Sequence, residues 1–318
     1  MQDLVDQLDE QYQDIEYQGK FYKGLRNCEE RWNLFKDHIK PHDVVLDLGS
    51  SLGYYSKKIA QTYPDSLVIS FESDPIMCEI QKQLFEDEGI YNVVVCNYRL
   101  GVDDLNKWFR HVELFDTVLA LAVLHHYPAE DVGLVIELLL HSEKLIVENG
   151  TEEKACGGNA KQRVAETLGT VDGTWLGDVK SHLQGERSIV MYPGGVSGTN
   201  LDAFFGVSHP DRHRFEVEGG KINGKHIIKG INVWNLLHFN VVWPTPHWWI
   251  VQAKAAYEGL SWKSDVRPWN LLITPTGLKA IDFTTHFPQN DQAEFRTKDI
   301  EKLSNLFSQM KPIKWEDL

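Results

Sequence analysis

Between residues 27 and 149, short apolar runs alternate with stretches whose apolar positions recur every three to four residues. "NCEERWNLFKDHI" predicts an amphipathic helix stopped by Pro41. "DVVLDL" is apolar almost throughout, as a strand covered on both faces must be. A helix over 54–62 follows, then strand "SLVISFE", a helix over 75–88 and strand "NVVVCN". Next come a helix near 103–110, strand "DTVLALAV", a helix over 129–141 and strand "KLIVEN". Within "SDP", Asp74 is expected to cap the helix that Pro75 opens. Strands alternating with helices in this way require a mostly parallel sheet with helices on both faces.

After the polar stretch "TEEKACGGNAKQ", a helix over 163–168 and two β-like runs, "TVDGTWLGDV" and "RSIVMYP", predict a late hairpin that closes the sheet at seven strands. The expected fold class is α/β, a doubly wound, Rossmann-like sheet. "YPGGVSGTN" concentrates turn residues and marks a boundary, giving one domain over 1–195 and a smaller α+β module over 196–318. Six of the ten tryptophans fall between residues 234 and 269, and "GGKINGKHIIKGI" predicts a hairpin about Asn223 and Gly224.

Composition narrows the class. A hydrophobic share of 42% and a charged share of 25% over 318 residues describe a soluble globular chain. The net charge of −14 repels phosphate backbones at long range, so broad nucleic-acid binding is not expected. The apolar stretches are too short to span a bilayer, no export signal opens the chain, and a cytoplasmic location is the default expectation. Cys28, Cys78, Cys96 and Cys156 form no CxxC pair and suggest neither a disulfide framework nor a zinc site.

In "DLGSSLG" the first strand ends at Asp47, and Gly49 and Gly53 flank the turn into a helix. Glycine lets a backbone approach a ligand closely. The middle position is Ser51, where the dinucleotide fingerprint needs glycine, so pyrophosphate binding is disfavoured. Twenty-five residues after Asp47 the second strand ends at Glu72, placed to accept hydrogen bonds from two ribose hydroxyls.

With "FDTVLALAVLHHY" as a fourth strand opened by Asp116, this order resembles the class I S-adenosylmethionine-dependent methyltransferases over roughly residues 25–195. The resemblance implies S-adenosylmethionine as cofactor. Asp47, Gly49, Ser51 and Gly53 would surround its methionine part and Glu72 its ribose. Asn97 or Tyr98 would border the adenine, and Leu121 would complete the cofactor set. Methyl transfer is an in-line displacement, and a base is needed only where the acceptor must lose a proton. His125, His126 and Glu148, at the ends of strands four and five, are the catalytic candidates.

"SDVRPWNLLITPTGLKAIDF" carries a second signature: Asp265, then Asn270 five residues on, then Asp282 twelve further. This spacing resembles the catalytic loop and metal-binding strand of protein-kinase-like phosphotransferases. There Asp265 would orient a hydroxyl, while Asn270 and Asp282 would hold Mg²⁺ on ATP. Arg267 stands where that loop usually carries lysine, and Thr284 where "DF" is usually followed by glycine. Together with "RNCEER" and "LGDVKSHLQGERSIVMYP", the chain resembles the bifunctional kinase–methyltransferases that terminate O-antigen chains. Those phosphorylate a terminal sugar and methylate the phosphate.

The resemblance implies a glycan, phosphosugar or small-molecule acceptor, with Arg26, Arg31, Lys180, His182 and Arg187 contacting an anion. Only about 120 residues follow the first domain, and no glycine-rich phosphate loop precedes a clear strand lysine. The kinase-like module is therefore abbreviated, and its activity stays open. The rival reading is a methyltransferase for a small metabolite or RNA whose C-terminal segment only supports structure or substrate.

Overall fold

The computed structural model describes residues 1–8, 10–111, 115–150, 158–181, 185–194, 221–222, 225–226, 230–258, 268, 271–280 and 292–309. Helix α1 (Gln2–Val5) and a hairpin of β1 (Ile15–Tyr17) and β2 (Lys20–Tyr22) precede the alternating region. That region runs α2 (Cys28–Phe35), β3 (Val44–Leu48), α3 (Tyr54–Thr62), β4 (Leu67–Glu72), α4 (Pro75–Glu88), β5 (Val93–Asn97) and α5 (Val102–His111). It continues through β6 (Thr117–Leu121), α6 (Val132–Leu139), β7 (Lys144–Gly150) and α7 (Gly158–Leu168) to the strands β8 (Thr174–Lys180) and β9 (Glu186–Pro193).

Five strands, β3 to β7, are mutually parallel in the order β5-β4-β3-β6-β7, and β9 and β8 follow antiparallel beyond β7. The seven expected strands are thus present, and the switch in strand order falls between β3 and β6. In an open sheet of this kind, ligands bind outside the carboxyl ends of the strands at that switch. Side chains alternate between two cores: Leu46, Ile69 and Val94 pack with Val135 and Val164 on one face. Val45, Val68 and Val95 pack with Phe35, Ile59 and Phe85 on the other.

Helix α4 has the expected bounds, and the Asp74 carboxylate accepts from the Ile76 and Met77 amides at 2.8 and 3.1 Å. The helix expected over 129–141 is shorter, because Pro128 to Asp131 form a turn first. The helix expected over 163–168 begins five residues earlier, at Gly158. Hairpin β1–β2 was not expected, yet it has a local signature. Gln18 (φ 48°) and Gly19 (φ 74°) make a two-residue turn between short alternating segments.

One element crosses the expected boundary. After β10 (Lys221–Ile222) and β11 (Lys225–His226), which pair across positions 223–224 as expected, come β12 (Ile231–Asn232), α8 (Val233–Leu236) and β13 (Val241–Trp243). β13 pairs antiparallel with β5 and becomes an eighth strand at that edge of the main sheet. Helix α9 (Pro246–Glu258) then leads to a small sheet in which β14 (Leu271–Thr274) pairs with β12 and with β15 (Gly277–Ala280), before α10 (Gln292–Gln309). Among the described residues, no helix is long and apolar enough to cross a membrane.

Candidate functional site

A cleft of about 780 Å³ opens at the carboxyl ends of the parallel strands. Its floor is Leu48 and Gly49 from β3, Phe71 and Glu72 from β4, and Leu121 and Ala122 from β6. Tyr98 and Arg99 after β5, His125 and His126 after β6, and residues of the segment before β1 make its walls.

The turn after β3 is held rather than loose. Gly49 and Ser50 donate backbone amides to the Phe71 carbonyl at 2.9 and 3.0 Å. Gln81, from α4, donates its amide to Ser50 Oγ (2.9 Å) and to the Ser51 carbonyl (2.6 Å). Gly49 sits at φ +70°, and a Cβ there would lie 2.6 Å from Val123 Cγ2. Gly53, at φ +77°, begins α3, and a Cβ there would meet Gln81 at 2.8 Å. Ser51 and Ala122, both on the cleft, have φ values of 54° and 61°. Left-handed backbone at a non-glycine costs free energy and tends to concentrate at functional sites.

The Glu72 carboxylate accepts three backbone amides: Ser51 at 2.8 Å, Ser73 at 2.7 Å and Asp74 at 2.9 Å. Its position is fixed by the chain on both sides of the cleft. The Ser51 hydroxyl is buried and has no hydrogen-bond partner. Asp47, 2% exposed, does not line the cleft; it accepts from Ser56 Oγ at 2.6 Å. Burial pushes its carboxyl up to about 6, with Ser56 opposing and the charge of Glu72 adding. Asn97 also lies off the cleft, donating from Nδ2 to the Glu72 and Ser73 carbonyls at 3.1 Å each. Of the two adenine-border candidates, Tyr98 lines the cleft.

On the other side lies a cluster of charge. Glu148, 3% exposed, does not line the cleft; it receives Arg26, Arg31 and Arg187. Arg31 makes a two-point contact, Nε to Oε2 at 3.1 Å and Nη2 to Oε1 at 3.3 Å. Arg31 also donates to the Asn27 and Lys180 carbonyls at 3.0 Å. Lys180 enters the site through that carbonyl, its side chain being exposed. Burial and the neighbouring Arg26 pull the Arg31 guanidinium below its usual range. Arg26 and Arg187 reach the cleft itself, on either side of Tyr12: the Arg26 guanidinium lies 4.7 Å from the ring centroid, and Arg187 Nη1 donates to the hydroxyl at 3.5 Å. The Arg26 Nε is buried without a partner.

His125 and His126 stand together at the mouth, ring centroids 4.2 Å apart, with Arg99 Nη2 donating to the His126 carbonyl at 2.6 Å. His182, Asp265, Asn270 and Asp282 lie outside the described residues. Among the described residues, no group of three or more His, Cys, Asp or Glu is placed to hold a metal.

Some residues in and behind the cleft were not expected from the sequence. Gln81 has a signal, a polar residue on the apolar stripe of α4 between Cys78 and Leu84. Tyr12, Gln13 and Arg99 have none, because nothing local marks the segment before β1 as part of a distant cleft wall.

Residues 45–141 match the family model described as the methyltransferase domain. The chain therefore contains a methyltransferase domain of the S-adenosylmethionine-dependent kind. No curated protein matches it in sequence. Across its whole length the chain is similar in fold to the bifunctional kinase-methyltransferase WbdD, at 14% identity and a TM-score of 0.50, covering 100% of this chain and 96% of that one. Magnesium protoporphyrin IX methyltransferase from Synechocystis PCC 6803, solved with bound SAM, is 20% identical with a TM-score of 0.40, covering 53% of this chain and 77% of that one. The N-terminal domain of EvdMO1 with bound SAH is 15% identical with a TM-score of 0.46, covering 61% and 95%.

Proposed function

We propose that the enzyme moves a methyl group from S-adenosylmethionine to an anionic acceptor, a phosphosugar or the phosphate at the end of a glycan. The charge of the inner wall carries this reading. Three buried guanidiniums share one carboxylate, and two of them face the cleft. Guanidiniums that line a largely buried cleft attract an anionic ligand to it. Guanidinium is also the side-chain group best matched to phosphate.

The residues at the other half fit the donor. Glu72 is pre-oriented for a ribose diol by three backbone amides, and Gly49 and Ser51 line the same space. Tyr98 offers an aromatic surface for a base. The donor supplies an electrophilic methyl group. The chain's own part is to hold the acceptor oxygen in line behind it and to keep water away. A phosphate oxygen is already anionic and needs no base, so Arg26, Arg187 and Tyr12 have an orienting task. His125 and His126 border the approach, and Glu148 acts through the arginines it fixes.

The second module reads as a reduced kinase-like unit. Hairpin β14–β15 lies between positions 270 and 282, which agrees with Asn270 and Asp282 holding Mg²⁺ and ATP and Asp265 orienting a sugar hydroxyl.

A screen with labelled methyl donor against phosphosugars, sugars, small metabolites and RNA, run with and without ATP and Mg²⁺, tests the reading. Label on a phosphosugar that disappears in Arg187→Gln supports it. Labelling of a neutral metabolite or RNA, unaltered by Arg187→Gln, overturns it.

A further inference from the structure

We infer that Phe239 and Asn240, in the second module, are positioning residues for the nucleoside half of the cleft, so that this module sets the affinity for the methyl donor. The inference rests on the donor site proposed above and adds to it a control element outside the residues matched by the methyltransferase model.

Two adjacent residues reach two walls by separate routes. Phe239 is buried and packs edge-on against three aromatic rings: Phe71 at 4.9 Å, Trp108 at 5.0 Å and Tyr98 at 5.0 Å between centroids. Phe71 belongs to the floor of the cleft and Tyr98 to its wall. Burial raises the Tyr98 hydroxyl above the usual range, with the charge of Asp104 adding to it. Phe239 packs against the Tyr98 ring and so helps to set its plane. Removing the Phe239 ring opens a void behind the ring that faces the cleft, and packed interiors fill such voids by moving neighbours.

Asn240 acts through the backbone. Its carbonyl accepts the Asn97 amide at 2.8 Å, which extends the sheet toward β13. The Asn97 side chain in turn holds the Glu72 and Ser73 carbonyls, and the amides of Ser73 and Asp74 hold the Glu72 carboxylate. One dipeptide thus supports both the aromatic wall and the carboxylate opposite it. The same segment continues back through α8 into β12, which pairs with β14 at Ile231↔Ile273 and Asn232↔Leu272. The second module's own sheet is rigidly tied to the donor cleft.

Calorimetric titration of the full chain with S-adenosylhomocysteine and with adenosine tests this, below the melting transition of every variant. Phe239→Ala should weaken both ligands by about tenfold, the scale of two or three lost aromatic contacts, and Phe239→Leu should recover most of it. A purely structural role would lower the melting temperature and leave both affinities within twofold, which overturns the inference. In the unaltered protein, S-adenosylhomocysteine should slow amide hydrogen exchange across residues 237–243, and unchanged exchange there overturns it as well, even if Phe239→Ala does not fold. If the unaltered protein binds no S-adenosylhomocysteine, the donor site itself is wrong; binding with unchanged variants rejects the role of Phe239 alone.

Discussion

Glu148 and Arg31 meet through two parallel contacts of 3.1 and 3.3 Å, both side chains buried, with Arg26 and Arg187 crowding the same carboxylate. Among the described residues, Glu148 forms ion pairs with all three of these cations. Glu148→Gln keeps the shape and removes the charge. Breaking a buried ion pair typically costs about 3–5 kcal/mol, because the remaining charges are left uncompensated. Urea denaturation should show a loss of that order, and inorganic phosphate should return part of it by binding the guanidiniums that line the cleft. A variant as stable as the parent, or one indifferent to phosphate, contradicts the proposed anion site.

The three amide bonds into Glu72 bear on donor affinity. Hydrogen bonds to a charged group contribute about 1.5–3 kcal/mol each, so a Glu72→Ala variant should bind S-adenosylhomocysteine at least tenfold more weakly. Ser51→Ala, which removes a hydroxyl with no partner inside the protein, should weaken the ligand by less than Glu72→Ala and leave the melting temperature nearly unchanged. Titration of both variants separates a ligand contact from a structural one.

Asp47 gives a pH dependence of defined sign. Its carboxyl is raised from 3.8 to about 6 in the folded protein, chiefly by burial. The folded state therefore holds the proton more tightly than the unfolded chain. The stability this supplies is complete below about pH 3.8 and is lost as pH rises through 6. Asp47→Asn, which can still accept from Ser56, should gain on the parent between pH 5 and pH 7, reaching on the order of 2–3 kcal/mol. Denaturation curves at the two pH values check this, and a constant difference counts against it.

The histidine pair separates classes of acceptor. If the methyl group goes to a phosphate oxygen, changing both His125 and His126 to Gln should leave appreciable turnover. A loss of roughly a hundredfold or more, the usual scale of a missing general base, would indicate a hydroxyl or amine instead. Initial rates with the acceptor found by the labelling screen decide between them.

Much of the donor half was legible because it is local. "DVVLDLGSSLG" and "SFESDP" encode strand ends, turn and cap within a few residues, and the structure brings Ser51 and Glu72 to 2.8 Å from that order alone. Proximity in sequence did not reveal which way a side chain points: Asp47 ends the strand as expected yet turns toward Ser56, and Asn97 supports the cleft from behind. The arginines were recognisable as candidates, but their shared carboxylate was not. Arg26 and Glu148 are 122 residues apart and meet only when the β7 end comes beside the chain preceding α2. Strand β13 was missed for a similar reason: three residues bounded by turns are too short to show a period, and the strand exists through its pairing with β5.

The two halves of the cleft are written in different stretches of chain. Positions 45–141, where the methyltransferase model matches, contain Gly49, Ser51, Glu72 and Tyr98, whereas Tyr12, Arg26, Arg31, Glu148 and Arg187 all fall outside. On the proposed reading, a comparison confined to the matched stretch would cover the donor residues and miss the arginines proposed for the acceptor. Relatives handling the same compound should therefore be sought by asking which chains bury three guanidiniums around one acid beside an otherwise ordinary nucleoside crevice.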